Sequence, residues 1–482
     1  MKKVYIAFTC MLGLFATTSC DDFLDVQPKG EKVEEDLFST YKGFESAIYG
    51  VYGSMSNDAL YGCDLLWGTT ELLAQNLYST STYGQDMGQY EYSRNQASRD
   101  RIGRIWITAY ISIGYANNVI KNLDEKGPGS MPNWDLYKGE MLGVRALLHF
   151  DLLRMFAPAG DESLQGIPYV SSYSFSVKPF LSVGECYDAI IADLTEAEKL
   201  LTDDETLMAY PRDNDNYDRY LNWRETHMNL YAVKGLLARV YWYRGDMTNA
   251  GKYAAQVIDK GYFPLVQPTE IKDYLAGVLS PKETIFGIYS TTYLTTATTY
   301  LYQYVSYSSY EAYDNSSGSN KLEPWQSVYN LDVDVTAQDY RRNHFRVGNS
   351  ITFFDKLTDY KTINNISHDG NFISGMTVMH SSELYLIAAE AFLSSDYNRA
   401  LRYFNTEITS RGLPALMPDQ TLTTDRIYNE YRKELFGEGQ QWFNMKRLNR
   451  DIVSNNQGRV IPASDAIYVL PIPDEEYDYR DE

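Results

Sequence analysis

Two segments of the chain repeat one plan, and that plan restricts the fold more than any other feature of the sequence. Asn229 opens an apolar run that continues through LLARVYWYRG; Gly245 ends it, and Met247 to Lys260 supplies an antiparallel partner. Ser382 to Phe392 followed by Tyr397 to Thr409 does the same. Ala238 and Ala250 stand twelve residues apart, as do Ala388 and Ala400, and each pair straddles a short turn, Arg244-Gly245-Asp246 or Ser394-Ser395-Asp396. Small residues in that frame let two helices pack closely, so both segments read as helical hairpins.

Other helices surround them. Gly139 to Ala157, GEMLGVRALLHFDLLRMFA, is apolar nearly all round, with Glu140, Arg145, Asp151 and Arg154 as its only formal charges, and Pro158 stops it. Val183 to Leu201 places Tyr187, Ile190, Ile191, Leu194, Ala197 and Leu201 at three- and four-residue steps. The predicted fold is all-α: a tetratricopeptide-like (TPR-like) superhelical scaffold of hairpins, scattered along the chain, with long irregular loop insertions. One insertion, residues 203 to 223, is acidic around Asp213, Asp215 and Asp218. Another, Tyr289 to Tyr313, holds eight tyrosines and ten Ser or Thr, with Glu311 as its only formal charge. That stretch is too polar for a core and too aromatic for a linker.

The amino terminus reads as an address. Lys2 and Lys3 precede an apolar stretch from Val4 to Phe15, and Ala16, Thr17, Thr18 and Ser19 lead into Cys20. This is the layout of a secretory signal over residues 1–19, and a Cys directly after the small residues is how a bacterial lipoprotein signal ends. Cys20 is therefore expected to carry lipid, with residues 20–40 as a tether and 41–482 as a single domain whose halves run to about 220 and from about 280. A plain secretory signal with a coincidental Cys is the alternative. Setting aside Cys10 and Cys20 leaves Cys63 and Cys186, which read equally as one bridge or two buried thiols.

Charge and composition narrow the function. The net charge is −21, a sign that repels phosphate backbones, so no nucleic-acid partner is expected. No G-x-S-x-G, H-E-x-x-H, C-x-x-C or glycine-rich phosphate loop occurs, and neither catalytic residues nor a cofactor is expected. The five histidines, His149, His227, His344, His368 and His380, are isolated and read as packing or surface residues. Glu140, Arg145, Glu390 and Glu434 lie on apolar helices and read as buried ion pairs. Asp332 and Asp334 alternate as a calcium loop begins, but Ala337 stands where its turn wants Gly, so no metal is expected.

A set of segments in register now resembles a known family. Cys20-Asp21-Asp22-Phe23-Leu24-Asp25 with Gln27-Pro28, then Trp106, Tyr110, Ile113 and Ala116-Asn117, come first. GEMLGVRALLHFDLLRMFA, LLARVYWYRGD, KETIFGI at 282 to 288, ELYLIAAEAF at 383 to 392, YRKELFGEGQQWFNMKRL at 431 to 448 and YVLPIPDEE at 468 to 476 follow. The chain is similar to the SusD/RagB family of lipid-anchored nutrient-binding proteins. It departs from many relatives at His380, where they carry Arg, and at Gln440-Gln441. The resemblance implies a TPR-like scaffold facing the cell exterior from the outer membrane, a SusC-like TonB-dependent transporter as partner, and binding without catalysis. Two readings from other classes remain beside it, an all-α glycoside hydrolase and a TPR-like outer-membrane assembly factor.

Forty-three tyrosines suit recognition by aromatic surfaces. A flat ring covers the C–H face of a sugar while neighbouring amides bind its hydroxyls. Trp67, Asn76, Tyr78, Tyr83 and Tyr90 form one candidate ligand-binding group, and Tyr293, Tyr300, Tyr310 and Trp325 the other. The resemblance places the ligand face on loops at about these two places; glycan is the expected ligand, and peptide is compatible.

Overall fold

The helices pack largely in the order in which the chain makes them. The computed structural model describes residues 34–79, 81–270, 282–303, 310–314, 328–329, 339–347, 351–357, 374–454, 459–478 and 480. Within these, α1 (Tyr41–Met55) leads to the short α2 (Thr69–Leu73), strand β1 (Tyr78–Ser79) and α3 (Thr82–Gln89). Three long helices follow, α4 (Gln96–Lys126), α5 (Trp134–Phe156) and α6 (Val183–Leu200), the last entered from the antiparallel pair β2 (Gln165–Pro168) and β3 (Phe180–Ser182). The chain divides into two units between Ala47 and Ile48. In the first, Lys42 pairs with Glu45 at 2.8 Å and the Phe38 and Phe44 rings meet at 4.9 Å.

In the second unit the two sequence-marked hairpins are α7 (Leu230–Arg244) with α8 (Met247–Lys260), and, farther on, α10 (Ser381–Phe392) with α11 (Tyr397–Ser410). Between them run β4 (Thr284–Tyr289), α9 (Tyr293–Thr298), a π-helical turn Thr299–Gln303, β5 (Tyr310–Asp314), β6 (Phe345–Val347), β7 (Ile351–Phe354) and β8 (Gly375–His380). Then come α12 (Thr424–Glu434), α13 (Gln440–Arg447) and the hairpin β9 (Ile452–Val453) with β10 (Val460–Ile461).

Local chemistry fixes the ends of these elements. Ser182 and Glu185 form a capping box on α6, and the Asn229 side chain accepts from the backbone N–H of Tyr231 and Ala232. Asp246 and Asp396, in the two matching turns, cap α8 and α11 by accepting from Asn249 N and Arg399 N. Ala238, Ala250, Ala388 and Ala400 are all fully buried. Neighbouring helices touch in the series α4–α5–α6–α7–α8–α10–α11, so the insertion is looped out and α8 docks directly on α10. Gly251 marks that contact, since a Cβ there would meet Phe392 Cζ at 3.0 Å and Ala391 Cβ at 3.2 Å. Two hairpins that are separate in sequence are thus one continuous stack, the superhelical scaffold expected from the sequence.

The charges singled out on apolar helices are paired, as expected, and all but the half-buried Glu390 are buried. Glu140 receives Arg224 at 2.5 Å and the hydroxyls of Tyr220 at 2.7 Å and Tyr52 at 2.9 Å. Arg145 pairs with Asp193 at 2.6 Å, Arg447 with Glu390 at 2.8 Å, and Arg411 with Glu434 at 2.7 Å. His149, His227, His344 and His380 are buried, and His368 lies outside the described residues.

Strands serve to join distant loops. β4 and β8 pair antiparallel, Ile288 opposite Met376, and close the base of the insertion. The sheet β1-β5-β7-β6 sets Tyr78 opposite Glu311 and Ser79 opposite Tyr310. The two loop regions singled out in the sequence therefore meet along one antiparallel ladder.

Candidate functional site

At the π-helical turn the tyrosine-rich insertion presents one ring outward. Tyr300 is 38% exposed, and its ring centroid lies 6.1 Å from that of Trp67, with 44° between the planes. Trp67 is completely buried beneath it. Tyr293, one element earlier in α9, is also buried, and its hydroxyl is pushed well above the ordinary phenol range by desolvation and by Glu438. An exposed aromatic held by a fully packed one is a rigid, partly apolar platform.

The other sequence candidates sit elsewhere, and several of them are buried. Tyr83 is buried: its hydroxyl hydrogen-bonds Thr69 Oγ1, and the Arg101 guanidinium lies 4.3 Å above its ring while pairing with Asp64 at 2.7 Å. Tyr90 is buried with its hydroxyl donating to Leu73 O at 2.7 Å. Asn76 is buried between Glu71, to which its Nδ2 donates at 2.9 Å, and Arg432, whose Nε donates to its Oδ1 at 2.9 Å. Burial raises the Glu71 carboxyl to about 7, against the opposing pull of Asn76 and of the Gly437 and Gly439 N–H groups. Trp67, Asn76, Tyr83, Tyr90 and Tyr293 thus pack against the scaffold, and Tyr90 also lines an open crevice with Tyr92 and Phe156. Groups inside the fold meet several of their polar tips, Leu73 O for Tyr90, the Thr69 hydroxyl for Tyr83, and Glu71 with Arg432 for Asn76, so polar neighbours in the sequence did not signal a surface.

Tyr78 is half-buried on β1, and Tyr310 lies on β5. Trp325, Cys20, Asp332, Asp334 and Ala337 lie outside the described residues. Sequence reasoning missed Tyr289, 58% exposed at the end of β4, although it stands at the head of the tyrosine-rich tract. It also missed the fully exposed Phe175 and Tyr217, and Trp223, which adopts φ 54° in the acidic insertion. No periodicity distinguishes those four from packed aromatics.

For a metal, the nearest grouping among the described residues is Glu283, His380 and Glu434, whose ligand atoms lie within 4.8 Å of one another. Arg411 already donates to both carboxylates, at 2.9 Å to Glu283 and 2.7 Å to Glu434. Although burial opposes it, the carboxylates of Glu438 and Glu283 hold the His380 imidazole protonated, near 10. A site that contains a guanidinium and an imidazolium is an ion network, and it offers a cation no net attraction.

Residues 22–217 match the family described as starch-binding, associating with the outer membrane, and residues 300–481 match the SusD family. The chain belongs to the SusD/RagB family. A relative, SusD-like protein P2 of Formosa agariphila, is 26% identical, with 98% of this chain and 97% of that protein covered. A SusD-like protein of Bacteroides ovatus is 25% identical over 52% of this chain and 40% of its own length. Among solved structures, a SusD superfamily protein from Bacteroides thetaiotaomicron superposes with a TM-score of 0.69 at 21% identity, covering 91% of this chain and 98% of that one. A laminarin-binding SusD-like protein superposes at 0.64 with 18% identity, covering 91% and 97%. The SusD fold thus accounts for the helical stack and for its long insertions.

Proposed function

We propose that this SusD-family protein captures a nutrient oligosaccharide or polysaccharide at the cell surface and hands it to a SusC-like TonB-dependent outer-membrane transporter. The observation that carries the reading is the match of residues 22–217 to a family described as starch-binding and associating with the outer membrane, with residues 300–481 matching the SusD family. One solved relative is described as a carbohydrate-binding protein and another as laminarin-binding, which supports a glycan as the captured class. The Tyr300 ring suits this task, because an aromatic face covers the C–H face of a sugar without requiring charge. Binding without catalysis fits relatives described by what they bind.

Lipid on Cys20 is the proposed anchor, with the protein facing outward. Among the described residues no helix is long and apolar enough to cross a membrane. A tethered binder has no pore, so a barrel must carry the ligand inward. A glycan and peptide array with the purified protein tests the ligand class: retention of peptides alone would replace glycan by peptide. Mild detergent extraction tests the partner, with a TonB-dependent barrel expected to purify alongside. Recovery of the protein always alone, with uptake unchanged by its deletion, would refute the delivery role.

A further inference from the structure

Between the α2–α3 segment and the β9–β10 hairpin lies a crevice of about 350 Å³. That volume is within the range of small-molecule sites, roughly 300–1,000 Å³. Its lining includes Gln75, Tyr78, Gln85, Gln89, Glu91 and Arg459.

The helix beside it carries an unexplained glycine. α3 reads Thr-Tyr-Gly-Gln-Asp-Met-Gly-Gln, with Gly84 and Gly88 one turn apart on one face. Helical glycine costs stability relative to alanine, so each calls for a reason. Gly84 has one in the packing, since a Cβ there would come within 2.3 Å of Ser79 Cβ. Gly88 has none: the nearest atom to its Cβ would be Gln75 Nε2, at 4.0 Å. It lines the crevice, and a longer side chain there would enter that space.

The wall beside Gly88 is held in a strained, fixed shape. Gln75 and Tyr90 adopt φ of 59° and 61°, a left-handed region that residues other than glycine rarely occupy. Their side chains are tied together: Gln75 Nε2 donates to Tyr90 Oη at 3.1 Å and to Gly88 O at 3.0 Å. Strain of this kind persists where the surroundings impose it, and here it flanks a polar crevice with a bare helix face.

We propose that this crevice holds one uncharged sugar unit of the captured glycan, gripped edge-on through its hydroxyls and not by ring stacking. The inference rests on the reading of the protein as a glycan binder. Amide side chains and a phenol supply donors and acceptors together, which matches vicinal hydroxyls that both give and take hydrogen bonds. Glu91 and Arg459 contribute one charge of each sign to the lining, Glu91 is already paired with Arg94 at 2.5 Å, and uncharged amides and hydroxyls make up the rest of its polar wall. Leu77, Ile461 and Ile467 offer apolar surface to ring C–H groups. The site is therefore distinct in chemistry from the exposed ring of Tyr300.

The test uses purified full-length protein in calorimetric titrations with laminarihexaose, maltohexaose and xylohexaose as neutral probes and hexagalacturonate as an acidic one. The tightest neutral probe should bind at least tenfold better than hexagalacturonate. It should lose at least tenfold in affinity in both Gly88→Leu, which fills the crevice, and Gln85→Ala, which removes an amide. Gly88→Leu should melt at or above the wild-type temperature, because it replaces a helical glycine without a clash. A destabilised Gly88→Leu would reveal a packing role for Gly88 and overturn the inference. Wild-type affinity in both variants, or preference for hexagalacturonate, would overturn this site while leaving glycan capture standing. No binding of any probe by the wild type would count against both.

Discussion

Tyr300 lies with its ring 6.1 Å from the ring of Trp67, and the two differ completely in exposure: the tyrosine is 38% open to solvent and the tryptophan is sealed. Under the proposed function the pair would divide the labour of a platform, one ring offered to the ligand and the other fixing its position.

Mutation should separate the two roles. Tyr300→Ala removes a solvent-facing ring, so affinity for the cognate glycan should fall by about fivefold to a hundredfold, equivalent to about 1–3 kcal/mol, with the melting temperature unchanged. Trp67→Ala empties a fully packed site and should cost about 3–5 kcal/mol of stability. Titration and thermal melting of both variants decide the matter; normal affinity in a folded Tyr300→Ala would remove that ring from the ligand face.

The scaffold was legible in the sequence because helical packing is written locally. The alanines at 238, 250, 388 and 400 and the aspartates at 246 and 396 specify hairpins by size and by capping, and the structure places each in that role. Exposure of single side chains was not legible, because it depends on tertiary contacts, some of them made across hundreds of residues. Asn76 is buried by Arg432, and Tyr92 donates to Ile467 O. Nothing adjacent to either residue announces a partner so distant in the chain. Gly88 carried a signal that the sequence reading passed over: a second glycine in an eight-residue helix.

The cysteines left open by the sequence are resolved as two separate thiols. Cys63 and Cys186 are both buried and form no disulfide with each other, and burial pushes the Cys186 thiol up to about 11. Iodoacetamide at pH 8 should therefore label neither in the native protein and both after denaturation without reductant. A labelled native Cys186, or a disulfide found by mass spectrometry, would contradict this arrangement.

Glu140 should govern part of the acid stability. Burial alone would raise its carboxyl, but Arg224 and His227 outweigh that cost and hold it at about 2. An unfolded glutamate titrates near about 4.3. The native state thus binds fewer protons between these values, so the contribution is present above about 4.3 and lost as pH falls through 2. Glu140→Gln strands a buried Arg224 with Asp204 as its remaining carboxylate, and should cost about 3–5 kcal/mol near neutrality. In urea melts the gap between wild type and variant should narrow steadily below pH 4; a gap independent of pH would refute the assignment.

Lys446 should act in the same direction, in an alkaline window. Its Nζ is buried at the end of α5, donating to Arg154 O and Ala157 O at 2.6 Å each, two carbonyls left over where the helix stops. Burial, with Arg154 nearby, brings its pKa down to about 7, against the weaker pull of Asp465. A neutral amine has two N–H groups, enough for both carbonyls, so losing the proton costs neither hydrogen bond. The unfolded lysine keeps its proton to about pH 10.4, so from about 7 to about 10 the unfolded state binds more protons and stability rises with pH. Lys446→Met keeps the side-chain length and loses the titration, although it also leaves the two carbonyls without their donor. Compared at pH 7, 8 and 9, the wild type should gain on this variant by up to about 1.4 kcal/mol per pH unit. Parallel stability profiles over that range would mean that the buried amine stays charged.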